Sequence, residues 1–207
     1  MEEKEIIIPE FPELEFEERN HTYWLNGLEI PSVTTLMKIL SDKVYGPVDP
    51  QVLANAARKG TIVHNAIDNY LEFDVVDIPE EQKPYFDAFL SWKEEVNPEI
   101  LATERKVYHK ALRYAGMCDL LCRIDGKVTL VDYKTSHSIQ PMLYPLQLEG
   151  YAKAWGTHGL KIDDQFNLQL KKDGSYSIHR YAPNPEYYSV VCALSTLHNY
   201  ESKFDRR

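Results

Sequence analysis

The tetrapeptide Ile124-Asp125-Gly126-Lys127 joins two runs rich in branched and apolar residues. Asp-Gly between such runs marks a two-residue hairpin turn, because a type I′ turn needs positive φ at both central positions. So short a turn fixes the register of both strands. Counting outward from Ile124 opposite Lys127 places Asp119 directly opposite Asp132, and Met117 opposite Lys134. Directly opposed side chains share a face, with Cβ atoms about 4.5–5.5 Å apart. Two carboxylates that close repel unless something bridges them, and a divalent cation is a natural bridge. Lys134 follows Asp132 by two residues and projects from the same face. An Asp-x-Lys tripeptide alone is usually a surface ion pair. Here Val128, Leu130 and Val131 imply a buried strand, where paired charges are costly. Asp119 in register with Asp132 makes Asp119, Asp132 and Lys134 candidate catalytic residues. Glu104, on the preceding strand, is a candidate extra carboxylate.

Upstream, residues 1–20 read as an acidic, partly extended arm in which Pro9 and Pro12 block a helix. Residues 21–30 read as a hairpin turning at Asn26-Gly27. A helix near 36–40 follows, with Ser32 or Thr34 as its N-cap. The next helical region begins after Pro50, breaks at Gly60 and resumes over 61–73. There Val63, Ala66, Ile67, Tyr70 and Leu71 form an amphipathic stripe with His64 at its edge. Another helix covers about 80–96. Strands follow over 100–109, 113–124 and 127–135, then a helix over 144–155, strands over 165–171 and 175–181, and a last helix over 185–203. That order predicts a mixed α/β sandwich rather than a repeating βαβ fold. The expected organisation is an arm (1–20) and a single domain (21–207), with a hairpin and helical lobe over 21–98 and the sheet with its helices over 99–207.

Composition sets limits on function. Hydrophobic residues make up 43% and charged residues 27%, as in ordinary globular domains. No window approaches a membrane span, and the acidic start is unlike a signal peptide, so a cytoplasmic location is the default and no membrane partner is expected. The net charge of −9 argues against simple electrostatic attachment to nucleic acid. The excess is local: residues 1–20 hold eight Glu against Lys4 and Arg19, whereas Arg105, Lys106, Lys110 and Arg113 face only Glu104 between 101 and 115. Cys118, Cys122 and Cys192 are too few for a disulfide framework. Cys118 and Cys122, four apart on one strand, are expected on the same face as small buried hydrophobes.

Read in order, Gly116-Met-Cys-Asp119, Asp132-Tyr-Lys134 and Gln147-Leu-Glu-Gly-Tyr151 resemble the RecB-like branch of the PD-(D/E)XK nucleases. This broad group includes phage recombination exonucleases similar to lambda exonuclease. Gly60-Thr-Ile-Val-His64 resembles the upstream motif of that branch, and Pro31-Ser-Val-Thr-Thr35 the opening of many phage-type members. The resemblance runs from about residue 23 to 151. It implies a restriction-endonuclease-like mixed sheet flanked by helices, with an N-terminal helical lobe. It implies His64, Asp119 and Asp132 as metal ligands, the Tyr133 carbonyl as a further ligand, and Lys134 as the catalytic lysine. Gln147 and Tyr151, sharing a helix face, would line the site and touch DNA; the plainer reading is a polar edge of a packed helix. Ser32 and Thr34 in the opening motif are further candidates for DNA contact. Arg58, Lys59, Arg105 and Lys106 are candidates for phosphate contact, against the plainer reading of solvated charge. One departure stands out: Cys118 takes the place of the conventional proline before the first acid. Iron-sulfur members carry four cysteines, so no cluster is expected.

The expected activity is Mg²⁺- or Mn²⁺-dependent hydrolysis of DNA from a free end, in phage-type recombination or repair within a bacterial or phage-infected cell. A single-strand annealing protein or a helicase is the candidate partner, and a homo-oligomer the candidate assembly. No Gly-x-x-x-x-Gly-Lys-Ser/Thr motif is present, so any motor would be a separate chain. The alternatives are a structure-specific endonuclease on the same fold and a non-catalytic DNA-binding module.

Overall fold

A computed structural model describes residues 6–205. Strands β1 (Leu14–Glu17), β2 (Thr22–Leu25) and β3 (Leu28–Ile30) form a small antiparallel sheet in that order. Asn26 and Gly27 turn the β2–β3 hairpin with φ of 52° and 73°. β1 lies inside the stretch read as an acidic arm. Its buried Leu14 packs with Tyr23, Leu25 and Ile30, while Glu15 and Glu17 point to water. The same stretch is tied down by basic residues: Arg105 Nη1 meets Glu10 Oε1 at 2.8 Å, and Lys106 Nζ donates to the Leu14 carbonyl at 2.9 Å.

Ser32 caps α1 (Val33–Leu36) by accepting from the Thr35 N–H at 2.9 Å. Met37 links it to α2 (Lys38–Tyr45), so two short helices replace the one expected near 36–40. α3 (Pro50–Phe73) starts at Asp49, whose side chain accepts from the Gln51 N–H, and Pro50 sits where its missing N–H costs nothing. This helix is continuous, which corrects the expected break at Gly60. An interior glycine costs a helix about 1 kcal/mol relative to alanine, and packing outweighs that. Val63, Ala66 and Ile67 are buried, and Lys59 Nζ donates to the Thr135 carbonyl at 2.8 Å. α4 (Lys83–Val96) ends at Asn97, whose φ of 47° forms a left-handed cap.

The main sheet has five strands in sequence order: β4 (Glu99–Tyr108), β5 (Ala115–Ile124), β6 (Lys127–Lys134), β7 (Asp164–Leu170) and β8 (Tyr176–Arg180). All neighbours are antiparallel except β6 and β7, which α5 (Tyr144–Thr157) joins as the crossover of a parallel pair. α6 (Pro185–Asp205) closes the chain. The fold is therefore a mixed sheet flanked by helices, with a helical lobe before it. One face packs against α1, α5 and α6 through Val33, Leu148, Trp155, Val191 and Leu194. The other packs against α3 and α4 through Val63, Ile67, Phe86, Phe89 and Trp92.

Asp125 and Gly126 adopt φ of 50° and 75°, the expected turn, and Ile124 pairs with Lys127. Cys118 and Cys122 are both buried, but on opposite faces: Cys118 packs in the α5 layer and Cys122 in the α3–α4 layer. This corrects the expectation of a shared face. The strict alternation behind that expectation fails where the neighbouring β4 strand leaves β geometry, at Glu104 with φ 43°.

Candidate active site

The β5–β6 ladder pairs from Ile124↔Lys127 as far as Leu120↔Val131 and stops one rung short of Asp119 and Asp132. Asp119 Oδ2 instead accepts the Tyr133 backbone N–H at 2.6 Å, so a side chain takes the place of a ladder carbonyl. The strands part where two opposed carboxylates would repel. The predicted Met117–Lys134 rung is likewise absent: Met117 pairs with Lys106, and Lys134 pairs with Gln169 across the parallel β6–β7 boundary.

The opening of the ladder lets β4 and α3 contribute. Single ligand-type atoms of His64, Glu104 and Asp119 all lie within 4.8 Å of one another. His64 Nδ1 is 3.5 Å from Asp119 Oδ1. The left-handed backbone at Glu104, uncommon for a residue other than glycine, sits at this meeting point. Burial alone would lower the His64 pKa, but the Asp119 carboxylate, with Glu104 and Asp132 beyond it, pushes it up to about 9. Burial and the charge of Asp119 push Glu104 up to about 8, against the opposing pull of His64. Burial would raise Asp119, yet His64, Lys134 and the Tyr133 N–H hold it below the ordinary range. A donor set of one imidazole and two carboxylates this close together, in which burial and mutual charge favour a proton on His64 and Glu104, fits a divalent cation.

Asp132 stands beside this cluster and is engaged differently. Its side chain, 3% exposed, forms an ion pair with Lys134, Oδ2 to Nζ 2.6 Å. Burial raises the Asp132 pKa despite that pair. Burial would lower Lys134, but Asp132 and Asp119 outweigh it and keep the ammonium charged. Lys134 Nζ also donates to Gln147 Oε1 at 2.9 Å, and Gln147 Nε2 donates to the Tyr151 hydroxyl at 3.1 Å. The i, i+4 pair on α5 thus holds the lysine, whose Nζ also lies 4.7 Å over the Tyr144 ring. Gly116 makes the arrangement possible: a Cβ there would lie 2.2 Å from Tyr151 Cε1.

The remaining candidates divide. Ser32 is buried and committed to its cap, with hydroxyls of Thr34 and Thr35 each 2.8 Å away; Thr34 is exposed. Arg58 is exposed on α3, whereas Lys59 turns inward to Thr135 and the Tyr85 ring. Tyr133 is buried against His64, ring centroids 5.5 Å apart. Motif reading did not single out Tyr144, Asn167 or Tyr181. Asn167 Nδ2 donates to Asp132 Oδ2 at 2.7 Å, and Tyr181 donates to Asn167 Oδ1 at 2.8 Å. The signal for Asn167 was its polar side chain within the apolar run Phe-Asn-Leu-Gln-Leu, at period two with Gln169.

Fold and site define a mixed α/β chain in which a His-carboxylate cluster adjoins a buried lysine-carboxylate pair. No family model matches the sequence. An alignment 89 positions long, covering 37% of this chain and 25% of the other, is 30% identical to the mouse (Mus musculus) protein mitochondrial genome maintenance exonuclease 1. Among solved structures the chain is similar to an alkaline exonuclease (LHK-Exo) from Laribacter hongkongensis, with 12% identity, a TM-score of 0.46, and coverage of 73% of this chain and 84% of that one. The same enzyme in complex with dAMP gives 12% identity, a TM-score of 0.45, and coverage of 86% and 92%. The sequence match supports the resemblance to nucleases read from the motifs. No helix among the described residues is long and apolar enough to cross a membrane.

Proposed function

We propose that this chain is a Mg²⁺- or Mn²⁺-dependent deoxyribonuclease of the PD-(D/E)XK type that hydrolyses DNA from a free end. The observation that carries this reading is the convergence of His64, Glu104 and Asp119 within 4.8 Å, beside the Asp132–Lys134 pair. The exonuclease named in the sequence match supports the choice of substrate.

His64, Glu104 and Asp119 would hold the cation, with Asp132 beside them as a further carboxylate ligand. A bound divalent cation supplies Lewis acidity and charge neutralisation at a phosphate. Lys134, kept charged by its carboxylate neighbours, offers a fixed positive group to charge developing on the phosphate oxygens. Gln147 and Tyr151 keep its Nζ in place. Such an activity suits phage-type recombination or repair alongside a single-strand annealing protein or a helicase.

The test is a time course on end-labelled linear DNA with Mg²⁺ or Mn²⁺, beside a covalently closed circle of the same sequence. Progressive shortening of the linear form, survival of the circle and digestion after one break are expected. Rapid cutting of the circle into discrete fragments would replace the exonuclease reading by an endonuclease. Tight DNA binding without cleavage in either metal would replace it by a non-catalytic module.

A further inference from the structure

Asp132 is approached from two sides, and the motifs account for only one of them. Lys134 Nζ reaches Oδ2 from the same strand at 2.6 Å. Asn167 reaches the same oxygen from β7, directly opposite in the parallel register. Among the described residues, Asp132 Oδ1 takes part in no hydrogen bond.

An amide has a donor end and an acceptor end, and this setting fixes which is which. An ionised carboxylate only accepts, so Asp132 requires Nδ2. Oδ1 of Asn167 then needs a donor, and the Tyr181 hydroxyl supplies it at 2.8 Å. Asn167 is fully buried, where an unsatisfied amide end would cost about 1–3 kcal/mol. The hydrogen bonds therefore run one way, from Tyr181 through Asn167 to Asp132. A carboxylate clamped through one oxygen by two nitrogen donors cannot rotate to offer that oxygen elsewhere.

We infer that Asn167 and Tyr181 are positioning residues that commit Asp132 Oδ2 to nitrogen donors and leave Oδ1 for a divalent cation. This rests on the nuclease reading above and extends it to two residues that touch neither the cation cluster nor Lys134. Partners that orient a ligating side chain commonly change metal affinity by about 10–100-fold when removed. Tyr181 lies outside the sheet, half-buried on the wall of a cleft of about 620 Å³, so loss of its single oxygen leaves the packing in place.

The test uses Asn167→Leu, close in volume but without polar atoms, and Tyr181→Phe. Mn²⁺ alone is titrated into each protein without DNA, and free Mn²⁺ is read by electron paramagnetic resonance. Cleavage of end-labelled duplex is then followed against Mn²⁺ concentration. Asn167→Leu should weaken Mn²⁺ binding about 10-fold or more. Tyr181→Phe should weaken it by up to about 10-fold, the low end of that range for a group one hydrogen bond further out, with the Mn²⁺ needed for half-maximal cleavage rising in step and the rate at saturating Mn²⁺ changing less. A purely structural role would lower thermal stability while leaving Mn²⁺ affinity at the parental value. That result overturns the relay, and if Asn167→Leu fails to fold, Tyr181→Phe alone decides. If the parent binds Mn²⁺ and cuts DNA while both variants match it, the relay falls and the nuclease reading stands. If the parent neither binds Mn²⁺ nor cuts, both fall together.

Discussion

Lys134 is the single side chain on which binding and chemistry separate. Its Nζ is held by Asp132, Gln147 and the face of Tyr144, and it is not one of the three clustered ligand groups. Lys134→Ala should lower cleavage by roughly 10²-fold even at saturating Mn²⁺, the scale of losing one electrostatic catalytic group. Cleavage at the parental rate would make the lysine a structural ion pair. His64 and Glu104 carry a second prediction, for the protein without metal. His64 is raised from 6.5 to about 9, so its contribution to stability is full below pH 6.5 and is lost as pH rises through 9. Glu104 is raised from 4.5 to about 8, and its contribution too is lost as pH rises through 8. Asp119, held low, acts only in acid, where its contribution is lost as pH falls. The two fall together from pH 6.5 to 8, and His64 alone carries the fall from 8 to 9. Urea unfolding in EDTA should show stability falling across that window, and His64→Gln should flatten the fall. Stability that rises with pH there would contradict the proton-for-cation reading of the cluster.

At the scale of elements, two glycines in the motifs do opposite things. A Cβ on Gly116 would run into the Tyr151 ring at 2.2 Å, and that ring supports Gln147 and so Lys134. Gly116→Ala should destabilise the fold by about 1–3 kcal/mol, the usual cost of overpacking, and slow cleavage with it. A Cβ on Gly60 would meet only Thr135 Oγ1, at 3.8 Å, within an unbroken helix. Gly60→Ala should therefore stabilise α3 by up to about 1 kcal/mol, seen as a raised unfolding midpoint; a loss would mean that α3 must flex there. The same contrast shows what sequence could and could not convey. The Asp125-Gly126 hairpin was legible because a two-residue turn obeys a local rule, and it brought Asp119 and Asp132 to one place. The end of that ladder was not legible, because it depends on carboxylate repulsion and on Asp119 capturing the Tyr133 N–H. The parallel pairing of β6 with β7 crosses α5, and no local signal sets its register, so Asn167 and Tyr181 stayed hidden. β1 was missed because its alternating Leu-Glu-Phe-Glu lies within a run of acids that reads as solvated.

For the whole molecule, the cluster joins parts that are otherwise held mainly by apolar packing. His64 comes from α3, Glu104 from β4 and Asp119 from β5, so the three groups span one helical layer and two strands. Anything that ligates all three fastens α3 to the sheet, and it does so only in the folded chain, because the residues lie 40 and 15 positions apart. A ligand that binds only the native state stabilises it by mass action, by about 2.7 kcal/mol at 100 times its Kd. For a chain of this size that corresponds to a rise in Tm of roughly 5–10 °C. Mn²⁺ should give such a rise. The double variant Asp119→Asn, Asp132→Asn should lose it, and the rise is read against the variant's own metal-free Tm, which falls because Lys134 loses its buried carboxylate partner. Ca²⁺, also an oxygen-seeking cation, should stabilise as well. Equal stabilisation of the parent and the double variant by Mn²⁺ would move the cation site away from the open end of the β5–β6 ladder, and the catalytic reading of Lys134 would go with it.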